Sequence, residues 1–157
     1  MSSTISFGLA GRVVVITGAA NGIGAACARR LARDGAHVAL WDVAEAPGQA
    51  LAAELRGAGQ DACFIRCDVA SKADVDAATA TTISEFGRID GLVNNAGIFR
   101  AAEFLDVTEE DWDAVINVNL KGSFLVGQAV ARHMVSRKRG AIVNMSSVNG
   151  LMAIMRL

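Results

Sequence analysis

The stretch "VVVITGAANGIG", residues 13–24, joins an apolar run to a glycine-rich turn and then to the start of an Ala-rich segment. Its glycines, Gly18, Gly22 and Gly24, have the spacing GxxxGxG, which on its own carries a high false-positive risk in a glycine-rich chain. The context makes the pattern informative, because a glycine turn between a strand and a helix lets backbone N–H groups at the helix N-terminus face a pyrophosphate. The stretch therefore predicts a β-strand, a phosphate-binding turn and an α-helix in succession.

The same alternation of short apolar runs and longer Ala-rich segments continues along the chain. The runs are apolar on both faces, as parallel strands covered by helices must be. The longer segments have helical spacing, with Ser71 and Thr108 as candidate N-caps and with closing glycines at Gly35, Gly59, Gly87 and Gly140. The pattern predicts strands at 12–16, 37–41, 62–67, 91–94 and 141–145, and helices at 23–33, 45–58, 71–86 and 108–138. This order predicts an α/β fold with a doubly wound parallel sheet of the Rossmann type, in a single domain over residues 1–157.

Composition excludes several classes of protein. With 157 residues, 52% of them hydrophobic, the chain is expected to form a compact domain rather than a disordered one. A net charge of −1, without a long basic run, argues against nucleic acid and membrane surfaces as partners. The three cysteines have neither metal-ligand nor disulfide spacing, and the N-terminus lacks the pattern of a signal peptide. We therefore expect no metal site and a cytoplasmic location.

The second predicted strand ends in "HVALWDV", which places Asp42 beside the glycine turn. A carboxylate at this offset can accept hydrogen bonds from the hydroxyls of an adenosine ribose, and the alternative is a solvated residue in a βα turn. Asp42 would repel a 2′-phosphate, and the turn carries Asn21 where Lys or Arg would neutralise one. Both features favour NAD(H) over NADP(H) as the cofactor.

Five motifs, in their order and spacing, resemble the short-chain dehydrogenase/reductase family. They are "TGAANGIG" (17–24), "CDV" (67–69), "NNAG" (94–97), "NVNLKG" (117–122) and "IVNMSS" (142–147), and the resemblance extends from Gly8 to Gly150. It implies hydride transfer between a nicotinamide and an alcohol or carbonyl substrate of unknown identity. With the glycine turn and Asp42, it gives a predicted cofactor-binding set of Gly18, Asn21, Gly22, Ile23, Gly24, Asp42, Asp68, Val69, Asn95, Ala96 and Gly97.

The resemblance also implies roles for two polar residues. Asn119 matches the family's catalytic Asn, which distorts a long helix and holds a proton-relay water, and Ser147 matches the Ser that hydrogen-bonds the substrate oxygen. For Asn119 the alternative is a polar residue satisfied by the backbone, with Asn117 as the neighbour that the repeated Asn makes hard to distinguish. For Asp68 the alternative is a cap on the following helix.

The family's general acid/base is a Tyr followed three residues later by a Lys, and this sequence contains no Tyr. We therefore expect little or no turnover, and interpret the chain as truncated after its fifth strand, with one apolar face of the sheet uncovered. A non-catalytic NAD-binding module and a complementing fragment are the alternative interpretations. A homo-oligomer through the predicted helix at 108–138 is a further expectation that the resemblance supports.

Overall fold

The computed structural model describes residues 7–148, and within them five parallel strands form one sheet in the order β3-β2-β1-β4-β5. The strands are β1 (Val13–Thr17), β2 (His37–Asp42), β3 (Ala62–Arg66), β4 (Gly91–Asn94) and β5 (Ala141–Asn144). The helices are α1 (Gly22–Arg33), α2 (Glu45–Gly57), α3 (Lys72–Phe86), α4 (Glu109–Val115) and α5 (Ser123–Ser136). The predicted doubly wound α/β fold is confirmed, with the strand order reversing between β1 and β4.

Both faces of the central strands are covered, as their uninterrupted apolar sequences require. Val14 and Ile16 of β1 pack with α1 and α2 on one face of the sheet. Val15 of β1 and Trp41 of β2 pack with α3 and α5 on the other face. Every residue of β1 is buried, and β1 is the middle strand of the sheet.

The predicted N-caps form, because each hydroxyl accepts a hydrogen bond from an N–H that the first helical turn cannot satisfy. Ser71 Oγ accepts from the Asp74 N–H at 3.3 Å, and Thr108 Oγ1 accepts from the Asp111 N–H at 3.1 Å. Each cap precedes the first residue of its helix, Lys72 for α3 and Glu109 for α4.

The predicted closing role of Gly140 is wrong. The left-handed residue after α5 is Lys138, with φ +53°, whereas no positive φ occurs at Gly140. A Cβ at Gly140 would lie 2.3 Å from Met134 Sδ, so the glycine is required for close packing against α5 rather than for ending it.

The predicted single helix at 108–138 is interrupted in its middle. A π-helical segment, Ile116–Gly122, separates α4 from α5, and a short 3₁₀ turn, Phe104–Asp106, precedes α4. Gly122 packs so closely on the loop after β3 that a Cβ there would lie 2.8 Å from Val69 Cγ2.

The last strand differs from the central ones in its exposure. All four residues of β5 are exposed, including Ile142 and Val143, which agrees with the expected uncovered apolar face. Within residues 7–148, no helix combines the length and the apolar character needed to cross a membrane.

The start of α1 packs directly against the turn that follows β1. A Cβ at Gly24 would lie 2.0 Å from the Gly18 carbonyl oxygen, a distance that real Cβ atoms do not show. Helix α1 can therefore approach β1 this closely only with glycine at position 24.

Buried Asp90 ties the amino ends of β1 and β4 to the end of α5. Its carboxylate, 5% exposed, accepts a hydrogen bond from the Val13 N–H at 3.0 Å and pairs with Arg88 Nε at 2.8 Å and Arg137 Nη1 at 3.1 Å. Burial by itself raises the pKa of Asp90, but the Val13 N–H and the two guanidinium groups outweigh it and hold the pKa below its usual range.

We expect Asp90→Asn to lower the free energy of unfolding by about 2 kcal/mol at neutral pH, because two guanidinium groups lose their shared carboxylate. Since the folded state lowers the pKa of Asp90, its contribution is complete above the ordinary Asp pKa of about 4 and is lost as the pH falls through the folded-state value. Urea denaturation across pH 3–7, a range chosen to bracket that pKa, is the measurement. Asp76→Asn, which removes an exposed partner of Lys72, is the control, with an expected change below about 0.5 kcal/mol. A wild-type advantage that grows toward acid pH would contradict the assignment.

We expect Gly24→Ala to destabilise the fold by about 3 kcal/mol or more, because the new methyl group must displace the β1–α1 turn. Gly57→Ala, at a helical position with no atom within 4 Å of the added Cβ, serves as the matched control and should be neutral or slightly stabilising. Thermal unfolding of both variants by circular dichroism compares them, and equal melting temperatures would show that the turn can shift freely.

Candidate functional site

A cavity of about 490 Å³ opens at the carboxyl edge of the sheet, where the strand order reverses. In parallel α/β sheets, ligands bind in this position. Every predicted cofactor-binding residue except Gly24 contributes to its wall. The lining residues are Gly18, Asn21, Gly22, Ile23, Asp42, Val43, Cys67, Asp68, Val69, Asn95, Ala96, Gly97, Ile98 and Val118.

A wider depression of about 660 Å³ lies at the amino edge, between the starts of β1 and β2 and the end of α3. His37 Nδ1 pairs there with Asp61 at 2.9 Å. Because ligands of such sheets bind beyond the carboxyl ends of the strands, the cavity at the carboxyl edge is the candidate site.

The glycine turn brings the N-terminus of α1 to the cavity wall. Gly18 adopts φ +63° and Gly22 φ +52°, and a Cβ at Gly22 would meet no atom within 4 Å. Asn21 precedes α1 in extended backbone, and its side chain makes no capping hydrogen bond. The first N–H groups of α1 have no partner within the helix, so this end of the cavity is suited to an anion.

The ends of β1 and β4 are bound together beneath the turn. Thr17 Oγ1, fully buried, accepts hydrogen bonds from the N–H groups of Asn95 and Ala96, both at 2.9 Å. In return, Asn95 Nδ2 donates to the Thr17 carbonyl at 3.0 Å and to the Gly18 carbonyl at 3.3 Å. Thr17 is not among the predicted site residues, although it is the first residue of the "TGAANGIG" motif and a hydroxyl at the end of an otherwise aliphatic strand.

Asp42 is half-buried and is fixed by two loops at once. Its Oδ2 accepts from the Ala20 N–H and its Oδ1 from the Ala44 N–H, each at 2.9 Å. The β1–α1 turn and the β2–α2 connection therefore hold the carboxylate against the cavity. This geometry differs from that of a freely solvated turn residue, which was the alternative.

Asp68 and Val69 line the cavity from the end of β3. Asp68 Oδ1 accepts from the Ala70 N–H at 2.9 Å, and the cap of α3 is Ser71, so the alternative of Asp68 as a helix cap is wrong. Cys67 beside them is 2% exposed, and burial raises the pKa of its thiol to about 12, so it stays protonated. Among residues 7–148, no group of three or more His, Cys, Asp and Glu side chains is placed to hold a metal ion.

Asn119 lies in the π-helical segment, and its side chain binds the loop that follows β4. Asn119 Oδ1 accepts from the Ile98 N–H at 2.8 Å, and Nδ2 donates to the Ile98 carbonyl at 2.9 Å. The side-chain amide of Asn119 thus satisfies both the N–H and the carbonyl of Ile98. Its neighbour Val118, which the sequence analysis did not predict, lines the cavity.

Ser147 follows β5 by three residues, at the same edge of the sheet, and is exposed. Neither Ser147 nor Asn119 is among the described residues that line the cavity, and Asn119 lies beside it through its bonds to Ile98, which does line it. The assignment of both residues to catalysis stays a prediction.

Comparison with known proteins gives the family. The family description "short chain dehydrogenase" matches residues 12–157. D-threitol dehydrogenase of Mycolicibacterium smegmatis is 44% identical over 154 residues, which are 98% of this chain and 59% of that protein. The solved structure of levodione reductase has a TM-score of 0.89 and 36% identity, covering 93% of this chain and 58% of its own. The solved structure of NAD⁺-bound xylitol dehydrogenase has a TM-score of 0.90 and 36% identity, and the match covers 94% of this chain and 57% of that one.

This chain thus spans less than two thirds of the length of the relatives that it matches. The match nevertheless includes the glycine turn, the strand ends that line the cavity and the segment that carries Asn119. With this coverage of the chain, the sequence belongs to the short-chain dehydrogenase family.

Proposed function

We propose that the cavity at the carboxyl edge binds NAD(H), with the pyrophosphate at the start of α1 and the adenosine ribose at Asp42. The observation that carries the proposal is that the α1 N-terminus, the Asp42 carboxylate and the Asn95–Gly97 segment line one cavity. The residues fit a dinucleotide, because Gly22 leaves open space for a phosphate and Asp42 is already oriented by two backbone N–H groups.

The charges of the lining residues favour NAD(H) over NADP(H). Asp42 and Asp68 are the ionisable acids of the wall, and no Lys or Arg lies among the lining residues that the structure describes. A 2′-phosphate would therefore meet a carboxylate without a compensating cation. Asn21 and Val43 occupy the places beside Asp42 where a basic side chain would help.

The bound nicotinamide would supply hydride transfer to or from a small alcohol or carbonyl substrate. Ser147 would hydrogen-bond the substrate oxygen, and the exposed segment after Gly97 would contact the substrate. Because both polar atoms of the Asn119 side chain bind Ile98, Asn119 would act by holding this segment and the π-helical turn in place.

The second candidate function concerns these 157 residues taken alone, namely a module that binds NAD(H) without turning it over. A positioned general acid/base contributes about 10²–10⁴-fold in rate, and none of the 157 residues supplies the family's Tyr. The complementing fragment stays a third interpretation, which the exposed β5 supports. A cytoplasmic location is supported by three cysteines that are all free thiols.

Self-association along residues 109–136 is part of the proposal. Trp112, Leu120, Phe124 and Val135 are large apolar side chains exposed along α4, the π-helical segment and α5. The first turn of α4 is acidic, whereas basic residues 137–139 follow α5. An antiparallel arrangement of two copies would therefore place opposite charges together.

We expect saturable binding of NADH in isothermal titration calorimetry, and binding of NADPH weaker by about tenfold or more. Asp42→Asn should weaken NADH binding and reduce the preference for NADH over NADPH, because the ribose loses a charged acceptor and the 2′-phosphate loses its repulsion. Asp61→Asn, at the exposed amino edge of the sheet, is the matched control and should change neither affinity. Equal affinities of the native chain for both dinucleotides would contradict the assignment of Asp42.

We expect the purified 157-residue chain to form no NADH above background from NAD⁺ and a panel of secondary alcohols, although it binds NADH. Absorbance of the reduced nicotinamide measures the rate, and the titration above shows that the same sample is folded. Turnover that Ser147→Ala abolishes would overturn the non-catalytic interpretation and would require an acid/base other than the family's Tyr.

A further inference from the structure

Arg66, which the proposed function does not use, lies beside Asp42 in the sheet. The two residues are Cα partners on the neighbouring parallel strands β2 and β3. Such neighbours lie about 4.8 Å apart, and their side chains project from the same face of the sheet. Phe64, two residues earlier on β3, packs against Gly48 of α2, so Arg66 also faces α2. Its side chain is long enough to reach a group bound at Asp42.

The guanidinium of Arg66 nevertheless pairs with two other carboxylates. Its Nη1 donates to Asp74 Oδ2 at 3.3 Å, and its Nε lies 3.6 Å from Glu45 Oε1. Both oxygens of Asp42 accept backbone N–H groups instead. Arg66 is not among the residues that line the cavity.

Asp74 is fixed in place by bonds unrelated to Arg66. The Asp68 N–H donates to its Oδ2 at 3.2 Å and the Ser71 hydroxyl to its Oδ1 at 3.0 Å. These bonds, together with Arg66, hold the pKa of Asp74 below its usual range, so it is charged at neutral pH. Glu45 lies in the first turn of α2, where the helix dipole favours a negative charge.

We propose that Glu45 and Asp74 determine cofactor specificity by holding Arg66 away from the adenosine ribose site. An Arg66 free to turn toward Asp42 would neutralise that carboxylate and offer a cation to a 2′-phosphate. With Arg66 engaged by Glu45 and Asp74, the negative charge of Asp42 acts alone on the ribose. The inference rests on the proposed binding of NAD(H) and extends its specificity to two residues outside the cavity.

Each pair is at least partly exposed, so each holds Arg66 weakly, and the expected effects are moderate. Glu45→Gln should tighten NADPH binding about threefold, and Glu45→Gln with Asp74→Asn about tenfold. NADH affinity should change less than about twofold in these variants, because the unphosphorylated ribose does not need Arg66. The gain should shrink as ionic strength rises, since the interacting groups are exposed.

The decisive test is a double-mutant cycle with Arg66→Gln, measured by titration of each variant with NADH and with NADPH. Arg66→Gln alone should leave NADPH affinity unchanged, and in combination it should remove the gain produced by Glu45→Gln. Glu85→Gln removes one negative charge at the opposite edge of the sheet and is the control for net charge. Asp74→Asn removes the charged acceptor of the Ser71 hydroxyl at the cap of α3 and can change the stability of that helix. The cycle of Glu45→Gln with Arg66→Gln, which leaves this cap intact, is therefore interpreted first.

Three outcomes would overturn the inference. If the tighter NADPH binding of Glu45→Gln persists in the Arg66→Gln background, or if Glu85→Gln also tightens NADPH binding, the effect comes from the general loss of negative charge. Weaker NADPH binding in Arg66→Gln alone would show that Arg66 already reaches the phosphate. Absence of NADH binding to the native chain would contradict the proposed function itself, whereas normal NADH binding with either of the first two outcomes would contradict this inference alone.

Discussion

The hydrogen bonds between the ends of β1 and β4 are the constraint on which the rest of the site depends. Thr17 Oγ1 receives two N–H groups from the β4 loop, and Asn95 returns its amide to two carbonyls of the β1 turn. The backbones are so close that a Cβ at Gly18 would lie 3.0 Å from Ala96 Cα. Because the strand order reverses between these two strands, the same bonds fix both sides of the crevice in which the cavity opens.

Much of this arrangement could be predicted from the sequence, because strands apolar on both faces and helices with regular caps leave few alternatives. The glycine turn, Asp42 and the "NNAG" segment follow strand ends, so their meeting at one edge follows from the parallel sheet. The hydrogen bonds between Thr17 and the Asn95–Ala96 segment could not be predicted. A Thr at the end of a Val/Ile run is an ordinary strand former, and the pairing of Asn119 with Ile98 joins residues that no local pattern relates.

The sequence pattern at 108–138 predicts one continuous helix, and only the resemblance of Asn119 to the family's catalytic Asn implies a distortion within it. The apolar pattern of 116–122 does not by itself reveal the π-helical segment that the structure shows. The segment makes tertiary contacts that no local pattern reveals, since Gly122 packs closely on Val69 and Asn119 bonds to Ile98. The end of α5 is similar, since Lys138 adopts the left-handed conformation while Gly140 is required by the approach of Met134.

The cavity holds its proposed ligand by two separable means. Attraction to phosphate comes from backbone N–H groups and the dipole of α1, which are the same for any dinucleotide. Discrimination between NAD(H) and NADP(H) comes from the carboxylates of Asp42 and Asp68, since no Lys or Arg is among the described residues that line the wall. A cation near such a site affects NADPH binding only if its side chain turns toward the 2′-phosphate. The side chain of Arg66 pairs instead with Glu45 on α2 and Asp74 on α3. Specificity for NAD(H) is therefore expected to depend on Glu45 and Asp74, which do not line the cavity, as well as on Asp42, which does.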